Sequence, residues 1–119
     1  NIKSIICSNN TVDLYNSKVI QSSMGSLFRV DIFYTDLVDF FEKCSDNFYV
    51  YGAVLEGQDS KTVNVNPNSL LVIGNESHGI SDALKQFIDT KITIKKFSDQ
   101  INSLNAATAT SILLYEFSK

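Results

Sequence analysis

Two stretches of the 119-residue chain gather residue types that could do chemistry. The first is Gly74-Asn75-Glu76-Ser77-His78-Gly79-Ile80-Ser81. Its two glycines permit positive φ and let a ligand reach the backbone without meeting a Cβ. Asn75, Glu76 and His78 crowd hydrogen-bonding and titratable groups onto that frame. A plain strand-to-helix turn has the same composition, so the string alone leaves both readings open. It fits neither the GxGxxG of dinucleotide sites nor the lysine-containing phosphate loop, and both of those chemistries lose support. The second stretch is Ile101-Asn102-Ser103-Leu104-Asn105-Ala106-Ala107-Thr108-Ala109. Ser103 is a natural N-cap, and the small residues behind it would admit another backbone or a flat ligand, although helix propensity by itself also favours alanine.

Elements that could position these stretches follow from apolar period and turn residues. Strands are expected at residues 5–7, 30–34, 48–55, 69–73 and 91–94, the fourth of them a continuous apolar run of the kind buried on both faces. Helical spacing recurs loosely over 13–27 and breaks at Gly25. It is sharper from Thr35 or Asp36, both good N-cap types, after which Leu37, Phe40, Phe41 and Cys44 stand at i, i+3, i+4, i+7. A helix capped by Ser81 should run to Ile88, and a last one from Ser103 to about Phe117. Residues 56–61 read as a polar surface loop. Strands alternating with helices imply an α/β fold with a mainly parallel sheet flanked by helices, and ligands of such sheets sit beyond the carboxyl ends of the strands.

Composition narrows the function classes. Ten basic against 13 acidic residues give a net charge of −3, so any nucleic-acid contact must be local rather than the work of a general positive field. Cys7 and Cys44 lie far apart with no Cys/His cluster, which implies neither a disulfide framework nor a metal site, but reduced thiols in a cytoplasmic protein. The longest apolar runs are far short of the roughly 20 residues of a membrane helix. One domain spanning 1–119 is expected. Because residue 1 is Asn and the next few already read as a strand, the sequence looks like a fragment that begins inside a fold.

The strings Leu71-Val72-Ile73-Gly74-Asn75-Glu76-Ser77-His78-Gly79-Ile80-Ser81 and Ser103-Leu104-Asn105-Ala106-Ala107-Thr108-Ala109-Thr110-Ser111-Ile112-Leu113-Leu114-Tyr115-Glu116 closely resemble the second and third motifs of the SpoU-type RNA 2′-O-ribose methyltransferases, members of the SPOUT or trefoil-knot superfamily. Residues 13–29 resemble the same family's segment before the third strand. Ser17 stands where that family usually has Pro, Ile94-Lys95-Lys96-Phe97-Ser98 where it has Ile-Pro and then Gly, and Asn102 where Glu is common. The family's first motif, an Asn-containing loop leading to an Arg, would precede Asn1, so the resemblance implies an N-terminally truncated methyltransferase domain.

The resemblance further implies a C-terminal trefoil knot and S-adenosylmethionine as methyl donor. Gly74, Ile94 and Leu104 would supply backbone and apolar contacts to that donor, with Asn75 and Gly79 completing its loop. Asn75 would do so mainly through hydrogen bonds to the backbone. Glu76, Ser103 and Asn105 match the family's polar catalytic positions. His78 is expected to be a solvated loop residue, since the family's base is attributed to the absent Arg or to RNA itself. Methyl transfer to a ribose hydroxyl needs alignment and deprotonation, and neither needs a metal. The implied partners are ribosomal or transfer RNA and a second copy of the chain. That copy would pack on the last helix, which carries Leu104, Ala107, Ile112 and Tyr115 on one side and Leu113, Leu114 and Phe117 on another. A module that binds the cofactor and dimerises without catalysis is the alternative.

Overall fold

The structure, a computed structural model, describes residues 2–95 and 103–119, and the chain divides into two compact units, Asn1–Glu42 and Lys43–Lys119. In the first unit β1 (Ser4–Ser8) and β2 (Asp31–Thr35) pair in parallel, with Ile6 opposite Phe33. Parallel strands need a crossover, supplied here by α1 (Ser17–Ser23) and a 3₁₀ turn at Ser26–Phe28. Asn16 caps α1, its Oδ1 accepting from the Lys18 amide at 3.0 Å. The Tyr34 hydroxyl donates to the Val12 carbonyl at 2.8 Å and ties the crossover to β2. Next comes α2 (Leu37–Cys44), whose Asp36 accepts from the Asp39 amide at 3.1 Å, and its Phe41 is buried as the apolar spacing requires.

The second unit holds a three-stranded parallel sheet in the order β4-β3-β5, built from β3 (Tyr49–Asp59), β4 (Ser69–Val72) and β5 (Thr90–Thr93). The four-residue α3 (Asp82–Lys85) lies between β4 and β5, and α4 (Ala106–Phe117) follows β5. Val50 and Ile92 are fully buried, and Leu113 of α4 packs with Ile92 and Tyr51 at the centre of the core. Neighbouring residues on a strand face opposite ways. Tyr51 therefore meets α4, its ring edge-on to Phe117 at 5.0 Å, while the space beside Gly52 on the other face is filled by Ile88. Both faces of the sheet are covered, as an all-parallel sheet demands.

Several expectations need correction. The strands form two separate sheets rather than one. Residues 56–59 are not loop but the end of β3, and Ser60 beyond them is buried. Gly57 explains why a polar stretch can pair there: a Cβ on it would come within 2.7 Å of the Lys91 carbonyl oxygen, so its absence lets β3 close on β5. The register jumps between Ala53 and Gln58, both of which oppose Ile92. The helix expected from Ser81 to Ile88 stops at Lys85, because Ile88 turns inward over Gly52 instead of continuing a surface helix. Threading of α4 through the preceding loop turns on residues 96–102, which lie outside the described residues, as do the sequence departures at Lys96, Phe97, Ser98 and Asn102.

Cys7 and Cys44 are free and half-buried, and burial pushes both thiols up from their ordinary pKa, so they stay protonated at neutral pH. Among the described residues no group of three or more His, Cys, Asp or Glu could hold a metal ion, and no helix is long and apolar enough to cross a membrane.

The Tyr51 hydroxyl donates to the Asn64 carbonyl at 3.4 Å and accepts from the Asn66 amide at 3.1 Å, which holds the segment entering β4. Tyr51→Phe leaves that part-buried amide without its acceptor, so chemical denaturation should show a loss of roughly 1–2 kcal/mol. Unchanged stability would remove this tie from the account.

Candidate functional site

The carboxyl ends of β4 and β5, together with the middle of β3, open on a cavity of about 990 Å³, and strand carboxyl ends are where parallel α/β sheets receive ligands. Loop 74–80 forms one wall and the start of α4 another. Ile73, Ile94, Leu104 and Ile112 make the surface largely apolar, and Ala106 and Ala109, three apart on α4, keep its near side low. Glu56, Glu76, Lys85, Lys91 and Lys95 bring charge of both signs to it. Lys85 is ion-paired with Asp82 at 3.0 Å.

The loop is closed by its own backbone. Asn75 and Gly79 exchange both main-chain hydrogen bonds, at 3.0 and 2.8 Å. Asn75 Oδ1 then accepts from the Ser77 amide at 2.8 Å and the His78 amide at 3.2 Å, with His78 Nδ1 3.3 Å away. So tight a turn needs a left-handed residue, and Gly79 provides it at φ 68°. Gly74 is required for a different reason. A Cβ there would lie within 2.6 Å of the Gly79 carbonyl oxygen and collide with the Gly79–Ile80 backbone. Its missing side chain makes room for the loop itself.

Across the cavity the cap of α4 is Asn105, not Ser103. Its Oδ1 accepts from the amides of Ala107 at 2.9 Å and Thr108 at 3.3 Å, while its Nδ2 donates to Glu76 Oε1 at 3.0 Å. The same Glu76 oxygen accepts from the Ala106 amide at 3.4 Å. One carboxylate thereby meets two donors at a helix N-terminus, where negative charge is favoured.

Gly74, Asn75, Glu76, Gly79, Ile94, Ser103 and Leu104 thus all line one cavity, and Asn105 stands just outside its lining, joined to Glu76. His78 is exposed and also reaches the cavity. The sequence reading missed the third wall, residues 53–56 in the middle of β3, and the lysines Lys91 of β5 and Lys95 just beyond it. No local signal marks Glu56, because it borders the cavity from within a strand rather than from a loop after one.

A family model described as the SpoU rRNA Methylase family matches residues 1–115. The 23S rRNA (guanosine(2553)-2'-O)-methyltransferase RlmP of Bacillus subtilis is 27% identical over 116 residues, covering 96% of this chain and 46% of its own length. A TrmH-family protein from Porphyromonas gingivalis is 32% identical with a TM-score of 0.85, over 98% of this chain and 48% of that one. The AdoMet-bound rRNA methyltransferase of Sinorhizobium meliloti superposes with a TM-score of 0.87 at 27% identity, over 97% and 45%. The chain spans about half the length of the relatives it matches.

The two loop glycines should respond differently to substitution. Gly74→Ala forces backbone apart and should cost roughly 1–3 kcal/mol. Gly79→Asn keeps a residue that tolerates the left-handed region, with open space beside it, and should cost about 1 kcal/mol or less. Thermal unfolding of both variants ranks them; the reverse order would overturn this account of the loop.

Proposed function

Because the chain belongs to the SpoU rRNA Methylase family, we propose that it is the S-adenosylmethionine-binding part of an RNA ribose 2′-O-methyltransferase acting on ribosomal or transfer RNA. The observation that carries this reading is the convergence of both family motifs on one cavity at the strand carboxyl ends. The cavity suits the cofactor. Its volume falls in the range of small-molecule sites, its walls are apolar enough for a flat base, and Glu56 offers negative charge to a cationic ligand. The bound form of the Sinorhizobium relative supports the same assignment.

Bound there, S-adenosylmethionine supplies a methyl group activated by its sulfonium. The chain's own residues align and shield. Ile94 and Leu104 contact the base, the loop held by Gly74, Asn75 and Gly79 supplies backbone groups, and Ser103, Glu76 and Asn105 form the polar end of the site. His78 serves the loop through Asn75 rather than as a base. The family match crosses both units, which supports reading 1–119 as part of one methyltransferase domain, and an RNA substrate of this class is consistent with work in the cytoplasm. A second copy would cover the outer side of α4, where Ala107, Ser111 and Tyr115 are exposed while Leu113 and Phe117 are spent on the core.

Calorimetry of the chain with S-adenosylmethionine should show one site, lost in Gly74→Val because the loop can no longer close. Transfer of labelled methyl to rRNA or tRNA, assayed with the full-length protein, should follow. Absence of binding in a folded chain would sink the proposal, and binding without transfer would favour a non-catalytic module. Light scattering at micromolar concentration should give a dimer mass that falls to the monomer in Tyr115→Asp.

A further inference from the structure

Glu76 is a natural candidate for acid–base work, being a carboxylate in a cavity beside polar neighbours, yet its geometry gives it another task. Its Oε1 is engaged twice, by Asn105 Nδ2 at 3.0 Å and by the Ala106 amide at 3.4 Å. Oε2 makes no hydrogen bond among the described residues. The donor at Asn105 is itself pinned, because the same amide group caps α4 through Oδ1. Glu76 rises from a loop whose backbone is closed by the Asn75–Gly79 exchange, so it is held at its root as well. The two hydrogen bonds therefore connect two rigid bodies, the loop after β4 and the first turn of α4. Those bodies are opposite walls of the cavity.

Resting on the cofactor assignment above, we propose that Glu76 is a positioning residue, a latch that sets the width of the cavity by holding the N-terminus of α4 against loop 74–80. What the latch requires is an acceptor at Oε1, not a charge or a titrating proton. Glutamine keeps an acceptor oxygen on a side chain of the same length, whereas alanine removes it. An acid–base residue would be lost in both variants alike, since glutamine cannot exchange a proton in place of a carboxylate. Asn105 is equally constrained. Aspartate would still cap the helix but would lose the donor and bring a second carboxylate to within hydrogen-bond range of the first.

The test has two readouts on Glu76→Gln and Glu76→Ala. Amide hydrogen exchange at Ala106, followed by NMR in the ligand-free chain, should remain slow in Glu76→Gln and accelerate about tenfold in Glu76→Ala. Calorimetry should show S-adenosylmethionine affinity within about threefold of the parent for the Gln variant and about tenfold weaker for the Ala variant. Equal damage from Gln and Ala would overturn the latch in favour of a role for the charge, and unchanged exchange in Glu76→Ala would overturn it outright. If the parent chain binds no S-adenosylmethionine, the cofactor assignment fails, and the exchange measurement still decides whether the latch exists.

Discussion

The packing of Leu113 against Tyr51 and Ile92 is the contact on which the site depends. A helix is a stiff rod, and seven residues before Leu113 are about 10 Å of it. Burying Leu113 thus fixes where Ala106 can be, and Ala106 lies at the cavity wall. The energetic basis is ordinary: full burial of one such side chain contributes about 1.5–3 kcal/mol, and dense packing leaves little freedom to tilt. Phe117 against Tyr51 adds a second point of attachment one turn further on, so that α4 is held at two places on the same sheet face.

On that foundation the polar parts of the site settle their own hydrogen-bonding needs. A loop after a buried strand risks leaving main-chain groups unpaired, which is costly away from water. Asn75 answers for four of them, the carbonyl and amide of Gly79 through its own backbone and the amides of Ser77 and His78 through its side-chain oxygen. The first amides of α4 are answered by Asn105 and Glu76. Lys91 and Lys95 beside Glu56 give the cavity rim local positive charge within a chain whose net charge is −3. The proposed RNA contact would take that form in an acidic protein, short in range and confined to the site.

Much of this was legible in residue order. The apolar face of α2 at Leu37, Phe40, Phe41 and Cys44, the strand at β4 and the two glycine-framed or alanine-rich stretches all follow from local rules, although β4 is a half-buried edge strand rather than one buried on both faces. The failures share one cause. Ser103 is as good a cap by type as Asn105, and nothing local says that a partner across the cavity will engage the second. The polar end of β3 looks like solvent loop because its stabilisation comes from main-chain pairing with β5 through Gly57, which side-chain hydropathy does not report. The helix after Ser81 ends early because Ile88 is drawn to a glycine on another strand, a contact invisible to helical periodicity.

The sequence by itself determined the α/β class, the strand and helix order, the family resemblance and the two stretches that form two of the cavity walls, since each rests on chemistry within a few positions. Only the tertiary structure decided what those residues do. Gly74 turns out to make room for Gly79, and Glu76 reaches a partner 29 residues away rather than standing free. Periodicity and propensity describe a chain's neighbours along itself, whereas these roles depend on which groups the folded core brings within about 3 Å of one another across the cavity.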